Sequence, residues 1–195
     1  MSIKITTLVE NSVYGKGLQG EHGLSLLVDT GEHRLLFDTG ASDLFIRNAR
    51  ILGIDLKEVD FLVLSHGHRD HTGGLHHFLA VNDKAQVVCK RELFQPKFKD
   101  ERENGVMQPD ALDSTRFRFV DEVTELCRGV FVFPQLPVTD EEDTHFEHFF
   151  TWTEGRKQAD TFTDELALVL KQGAEVSVLS ACSHRGITNI IRAVQ

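Results

Sequence analysis

The apolar stretch Phe61-Leu62-Val63-Leu64 runs straight into Ser65-His66-Gly67-His68-Arg69-Asp70-His71-Thr72-Gly73-Gly74. No other junction constrains the fold as strongly. A short, continuously apolar segment is consistent with a strand buried on both faces. Immediately past its end, three imidazoles and a carboxylate crowd the positions from His66 to His71. Neutral imidazole and carboxylate are ligands for zinc and related divalent ions. The stretch therefore reads as most of a two-metal site at a strand exit, against the plainer alternative of a histidine-rich surface turn.

The spacing has a mechanical sense. His66 and His68 are two apart, so in extended or turning backbone their side chains point the same way. Gly67 between them lets the chain bend without a Cβ clash. Asp70 and His71 fall where a helix can begin, with Thr72-Gly73-Gly74 opening it. Two imidazoles can then face one ion, and a carboxylate with an imidazole a second. An H-E-x-x-H helix places its histidines four apart on one face, and this motif is not of that kind.

A chain of 195 residues, 41% of them hydrophobic, suits one globular domain spanning 1–195. The formal net charge of −9 argues against a nucleic-acid partner, which would need a broad basic face. Cys89, Cys127 and Cys182 show no C-x-x-C spacing and leave one thiol over in any disulfide scheme, which fits a reducing compartment. The first residues carry no long apolar core or small-residue cleavage site, and no run is long enough to span a bilayer. The expectation is a cytoplasmic protein with no membrane partner.

Alternation of Ile3, Ile5, Thr7 and Val9 predicts a half-buried strand. Val13 to Gly23 is glycine-rich and reads as a loop. Leu24–Val28 and Arg34–Phe37 read as a hairpin about Asp29-Thr30-Gly31-Glu32. Ser42 can cap a helix to about Leu52, with Leu44, Phe45, Ala49 and Leu52 on one face. A strand at Asp60–Leu64 precedes a helix from Gly74 to about Leu79 and a strand at Gln86–Cys89. Lys97–Arg118 is polar with little periodicity and reads as an excursion, either a flap or a solvated insertion. Val130–Phe133, Leu166–Leu170 and Val176–Leu179 read as strands, and Ile187–Val194 as the last helix.

On these residues the chain resembles the metallo-β-lactamase fold superfamily. His66-x-His68-x-Asp70-His71 after a buried strand is similar to its metal motif, and Leu35-Leu36-Phe37-Asp38-Thr39-Gly40 to its first motif. Gly20-Glu21-His22-Gly23-Leu24-Ser25, Asp164-Glu165-Leu166-Ala167-Leu168-Val169 and Ser180-Ala181-Cys182-Ser183-His184-Arg185-Gly186-Ile187 resemble the dihydropteroate-synthase-like branch. That branch is named for archaeal enzymes acting on a dihydropterin diphosphate and an aminobenzene ribosyl phosphate. The resemblance implies an α/β fold, an αββα sandwich of two sheets flanked by helices. It also implies a C-terminally incomplete chain, since the branch carries a later Gly-Gly-Phe-His-Leu stretch that this sequence does not contain.

By that resemblance, His66, His68, Asp70, His71 and His184 are metal ligands, and Asp38 is a ligand or a carboxylate behind the histidines. Asp70 and His184 are the candidate catalytic residues, with Asp70 orienting or deprotonating water. On the residues alone, Asp38 can equally be a turn and helix-capping residue, and His184 a capping or core histidine. Cys182 is expected to be a small buried hydrophobe rather than a soft ligand. Asp164 reads as a turn carboxylate or a group approaching the ions, and His22 as able to face the site. His76, His77, His145 and His148 read as packing or solvated residues.

The cofactor implied is a divalent metal, zinc before Mn, Fe or Mg, as one or two ions. The function implied is a metal-dependent hydrolase or transferase acting on an anionic, phosphorylated small molecule, through a metal-bound water or a metal-held diphosphate. Alternatives are a catalytically impaired metal-binding module, a protomer completed in a homodimer, or a nuclease or phosphodiesterase of the same fold.

Overall fold

The computed structural model describes residues 3–107, 112, 114–153 and 155–195. It divides into two compact units interleaved along the sequence: residues 1–64, 68–88 and 107–118 in the first, and 65–67, 89–106 and 119–195 in the second. Among the described residues, no helix is long and apolar enough to cross a membrane.

The first unit is built on a six-stranded sheet. Its strands are β1 (Lys4–Val9), β2 (Ser25–Asp29), β3 (Arg34–Phe37), β4 (Phe61–Val63), β5 (Gln86–Cys89) and β8 (Phe117–Phe119), adjacent in that order. β1, β2 and β3 pair antiparallel, whereas β3, β4 and β5 run parallel. Parallel strands need cover on both faces; accordingly Leu35, Leu36, Phe37, Leu62, Val63, Val87 and Val88 are fully buried. The expected alternation of β1 fails at its end. Ile5 faces outward with Thr7, and a register shift between Thr7 and Val9 turns Val9 inward beside Leu8, because a bulge inserts one residue out of phase.

Helix α1 (Leu44–Ile51) buries Leu44, Phe45, Asn48 and Ala49. Leu52, expected on that face, lies past the helix end and is exposed. Asp43 occupies the cap position without a capping bond; Ser42 Oγ instead accepts the Leu44 N–H at 3.1 Å and donates to Glu21 Oε2 at 2.7 Å. The histidine–aspartate motif leads into α2 (Arg69–Thr72), one residue earlier than its sequence suggests, and α3 (Leu75–Val81) follows at once. The start lies at Arg69 because the His68 carbonyl already accepts the His71 and Thr72 N–H groups, each at 3.0 Å.

The second unit holds two four-stranded sheets. One comprises β14 (Glu175–Leu179), β13 (Ala167–Gln172), β10 (Val130–Phe133) and β9 (Thr124–Cys127), in that spatial order. The other comprises β12 (Arg156–Ala159), β11 (Phe149–Thr153), β6 (Lys97–Lys99) and β7 (Arg102–Glu103). Helix α4 (Ile187–Val194) is anchored by Asn189, whose Oδ1 accepts from Thr139 N, Thr139 Oγ1 and Asp140 N, and whose Nδ2 donates to Asp140 O and Arg185 O. The predicted excursion over Lys97–Arg118 is therefore partly sheet: β6 pairs with both β7 and β11. Positions 108–111 and 113 of that stretch lie outside the described residues.

Candidate functional site

In the first unit, parallel pairing of β3 with β4 sets Asp38 beside the strand exit, where its N–H donates to Val63 O at 2.9 Å. Asp38 is fully buried at φ +60°. That backbone conformation costs a non-glycine residue roughly 1–2 kcal/mol, and Ser25 Oγ, donating to Asp38 O at 2.9 Å, holds it. The carboxylate so aimed lies 2.8 Å from His71 Nδ1. A carboxylate Oδ2 accepts, so His71 carries its proton on Nδ1 and keeps the lone pair on Nε2, the tautomer a metal-ligating imidazole needs. His71 Nε2 and His22 Nε2 each stand 3.4 Å from Asp70 Oδ2. Burial alone would raise the Asp70 carboxyl; in their doubly protonated forms His71, through a hydrogen bond and its charge, and His68, through its charge, overcome it and take the pKa down to about 2.

His22 is 82% exposed at its side chain yet fixed by its loop. Its Nδ1 meets Asn11 Oδ1 at 3.1 Å, and the same oxygen accepts the Gly23 N–H at 3.1 Å. Gly23 lies at φ +139°, and a Cβ there would run into the Asp70 carbonyl oxygen. Only glycine lets this loop close on the start of α2.

In the second unit, Ser65-His66-Gly67 is held by Leu166 N donating to Ser65 O at 2.9 Å and by Gly67 N donating to Asp164 Oδ2 at 2.6 Å. His66 is fully buried, its ring 5.1 Å from that of His184, centroid to centroid, in an edge-on arrangement. His184 Nδ1 lies 3.0 Å from the His145 carbonyl, which can only accept, so His184 also keeps its lone pair on Nε2. The ring of Phe162 stacks on His184 at 3.8 Å and 10°.

The main chain of His184 and Arg185 is seated on Glu165, whose two carboxylate oxygens accept their N–H groups at 2.9 and 2.7 Å. Burial pushes the Glu165 pKa up to about 7 in spite of these bonds. Lys97, 1% exposed, sits between Asp160 Oδ2 at 2.7 Å and Asp164 Oδ1 at 2.8 Å. Burial alone would discharge the amine; Asp164 and Asp160 outweigh it and hold the ammonium above its usual range.

Within the first unit, then, Asp38, Asp70, His71 and His22 meet, and within the second His66 and His184 do. His68 is buried as the residue that opens α2. Asp164 is a hydrogen-bonding carboxylate on the motif's own backbone. Cys182, expected to be buried, is exposed: it follows the end of β14 in a bend rather than lying within a strand. His77, His145 and His148 are exposed, and His76 Nε2 meets Met107 O at 2.7 Å. Lys97, Asp160 and Phe162 had no site role in the sequence, since nothing local marks a lysine whose partners lie 63 and 67 residues away.

The family model described as "Metallo-beta-lactamase superfamily" matches residues 18–164. The chain belongs to that superfamily. Within it, the 7,8-dihydropterin-6-methyl-4-(beta-D-ribofuranosyl)-aminobenzene-5'-phosphate synthase of Methanocaldococcus jannaschii is 29% identical over 212 residues, covering 98% of this chain and 71% of the synthase. The uncharacterized protein MJ0448 of the same organism is 28% identical, covering 96% of this chain and 72% of its own. These relatives place the chain beside the dihydropterin-aminobenzene phosphate synthase branch. The crystal structure of Tm1679, a metal-dependent hydrolase of the beta-lactamase superfamily, superimposes with a TM-score of 0.83 at 34% identity, covering 99% of this chain and 71% of that one. The fold is thus the metallo-β-lactamase fold.

Proposed function

We propose that the chain is a metal-dependent enzyme acting on an anionic, phosphorylated small molecule, with His66, His68, Asp70, His71 and His184 holding one or two divalent ions. The observation that carries this reading is the pair of fixed tautomers. His71 on Asp38 and His184 on the His145 carbonyl both keep Nε2 as the basic nitrogen, in two separately built surroundings. A donor set of imidazole nitrogens and carboxylate oxygen suits zinc first, then Mn, Fe or Mg. When bound, such an ion supplies Lewis acidity toward a phosphoryl oxygen and acidifies water. Asp70, held ionised well below neutral pH, is the group that orients water or accepts a proton, and Asp38 keeps His71 in its ligating tautomer.

Two names among the relatives frame the reaction. Tm1679 is described as a hydrolase and the archaeal relative as a synthase. Water as acceptor gives hydrolysis of a phosphate ester or diphosphate, and an organic nucleophile gives transfer with loss of diphosphate. Elemental analysis of the purified protein tests the metal, with one or two ions per chain expected and a loss in His68→Ala. Full metal content in that variant, or none in the wild type, overturns the assignment. Release of phosphate or diphosphate from small phosphorylated substrates, compared with and without an aminobenzene acceptor, separates hydrolysis from transfer.

A further inference from the structure

We propose that Lys97 is a positioning residue that sets the orientation of His66 and His184 together, through the two buried carboxylates it joins in the second unit. The proposal rests on the metal-binding reading above. The ammonium is shared between Asp160 and Asp164; the second oxygen of Asp164 reaches the segment that bears His66, and that of Asp160 reaches the residue whose ring packs on His184. Asp164 Oδ2 accepts the N–H of Gly67, the residue after His66. Asp160 Oδ1 accepts the N–H of Phe162 at 2.8 Å, and the Phe162 ring lies flat on His184. One side chain therefore ties both imidazoles to a common reference.

The contact at Gly67 is close. A Cβ there would run into the Leu93 carbonyl oxygen and would stand 2.9 Å from Lys97 Cε, so the amide can seat against Asp164 only because the residue is glycine. Phe162 is likewise held in an unfavoured backbone conformation, φ +51°, with the Asp160 bond across its own turn. A buried ion cluster is a poor means to stability, since well-packed apolar residues of equal volume commonly do as well or better. Its value here is directional: each carboxylate must remain ionised and aimed to accept from an amide. Without the ammonium, two carboxylates would share a dry interior, one would take up a proton, and the neutral carboxyl would hold its amide more weakly. The Lys97 side chain also reaches over the Phe162 ring, its Nζ 5.3 Å from the centroid, so the hub touches the stack directly.

The test uses the full chain in two variants, Lys97→Met and Asp164→Asn, with Val132→Ala as a control for destabilisation elsewhere in the same unit. Asn at 164 can accept from Lys97 or from Gly67 but not from both, so it breaks the relay while leaving the Lys97–Asp160 pair. Zinc affinity is read by competition with a chromophoric chelator. The ring nitrogen shifts of His66 and His184 are read by NMR on metal-free protein. Both variants are expected to lower zinc affinity by about 10- to 100-fold, the range seen when partners behind a ligand are removed, with Lys97→Met moving both sets of ring signals and Asp164→Asn those of His66; Val132→Ala does neither. Wild-type affinity and an unmoved His66 ring in folded Asp164→Asn overturn the proposal. If Lys97→Met does not fold, Asp164→Asn decides alone. If the wild type itself takes up no zinc, the metal reading fails, and the ring shifts alone judge the positioning role.

Discussion

In the first unit His71 is steered by charge: the anion of Asp38, itself bent into an unfavoured backbone conformation, fixes which nitrogen bears the proton. His184, in the second, obtains the same tautomer from a neutral carbonyl and takes its plane from a stacked phenyl ring. An ionic acceptor raises the basicity of the imidazole more than a carbonyl does, while a ring stack restricts tilt without adding charge. One chemical requirement, a lone pair kept on Nε2, is thus satisfied by electrostatics in one region and by packing in the other.

Removing the imidazoles themselves is the strongest way to break that comparison. His71→Ala and His184→Ala should each weaken zinc binding by more than the about 100-fold that bounds losses from outlying partners, as read by metal content after dialysis. Retention of metal by one of them would mean that its region does not take part. Next come the two glycine clasps. Gly23→Ala must relieve both a clash with the Asp70 carbonyl and an unfavoured φ, and should destabilise the protein by about 2–6 kcal/mol. Gly67→Ala meets the Leu93 carbonyl at an ordinary φ and should cost about 1–3 kcal/mol; denaturant titration ranks the two.

A finer contrast lies between Asp38→Asn and Phe162→Leu. The amide oxygen can still accept from His71 Nδ1 but brings no charge, so zinc affinity should fall about tenfold at little cost to the midpoint of unfolding. Loss of the ring should do the reverse, lowering stability by about 1 kcal/mol with a smaller change in affinity. If both variants behave alike, the division between charge and packing is wrong.

Much of this architecture is legible in the sequence where the signal is local. The apolar run ahead of Ser65, the hairpin about Gly31 and the last helix follow from periodicity and turn chemistry. So does the joint presence of His66, His68, Asp70 and His71 at a strand exit. What escaped depends on distant partners. β12, Arg-Lys-Gln-Ala, has every residue exposed and exists because β11 offers it a ladder. Lys97 lies in a run of charges and looks solvated, yet carboxylates more than sixty residues later draw it inside. Phe162 and Glu165 act through contacts that no spacing announces, although Glu165 belongs to a segment the family resemblance had already marked.

The cysteines differ in reach. Cys89 is buried, its thiol pushed up to about 12 by desolvation and by the charge of Asp164, so it stays inert toward alkylating reagents at neutral pH. Cys182 lies open at the surface two residues before His184. A maleimide dye added briefly would therefore mark the neighbourhood of that imidazole first, giving a native handle for fluorescence without any engineered attachment point.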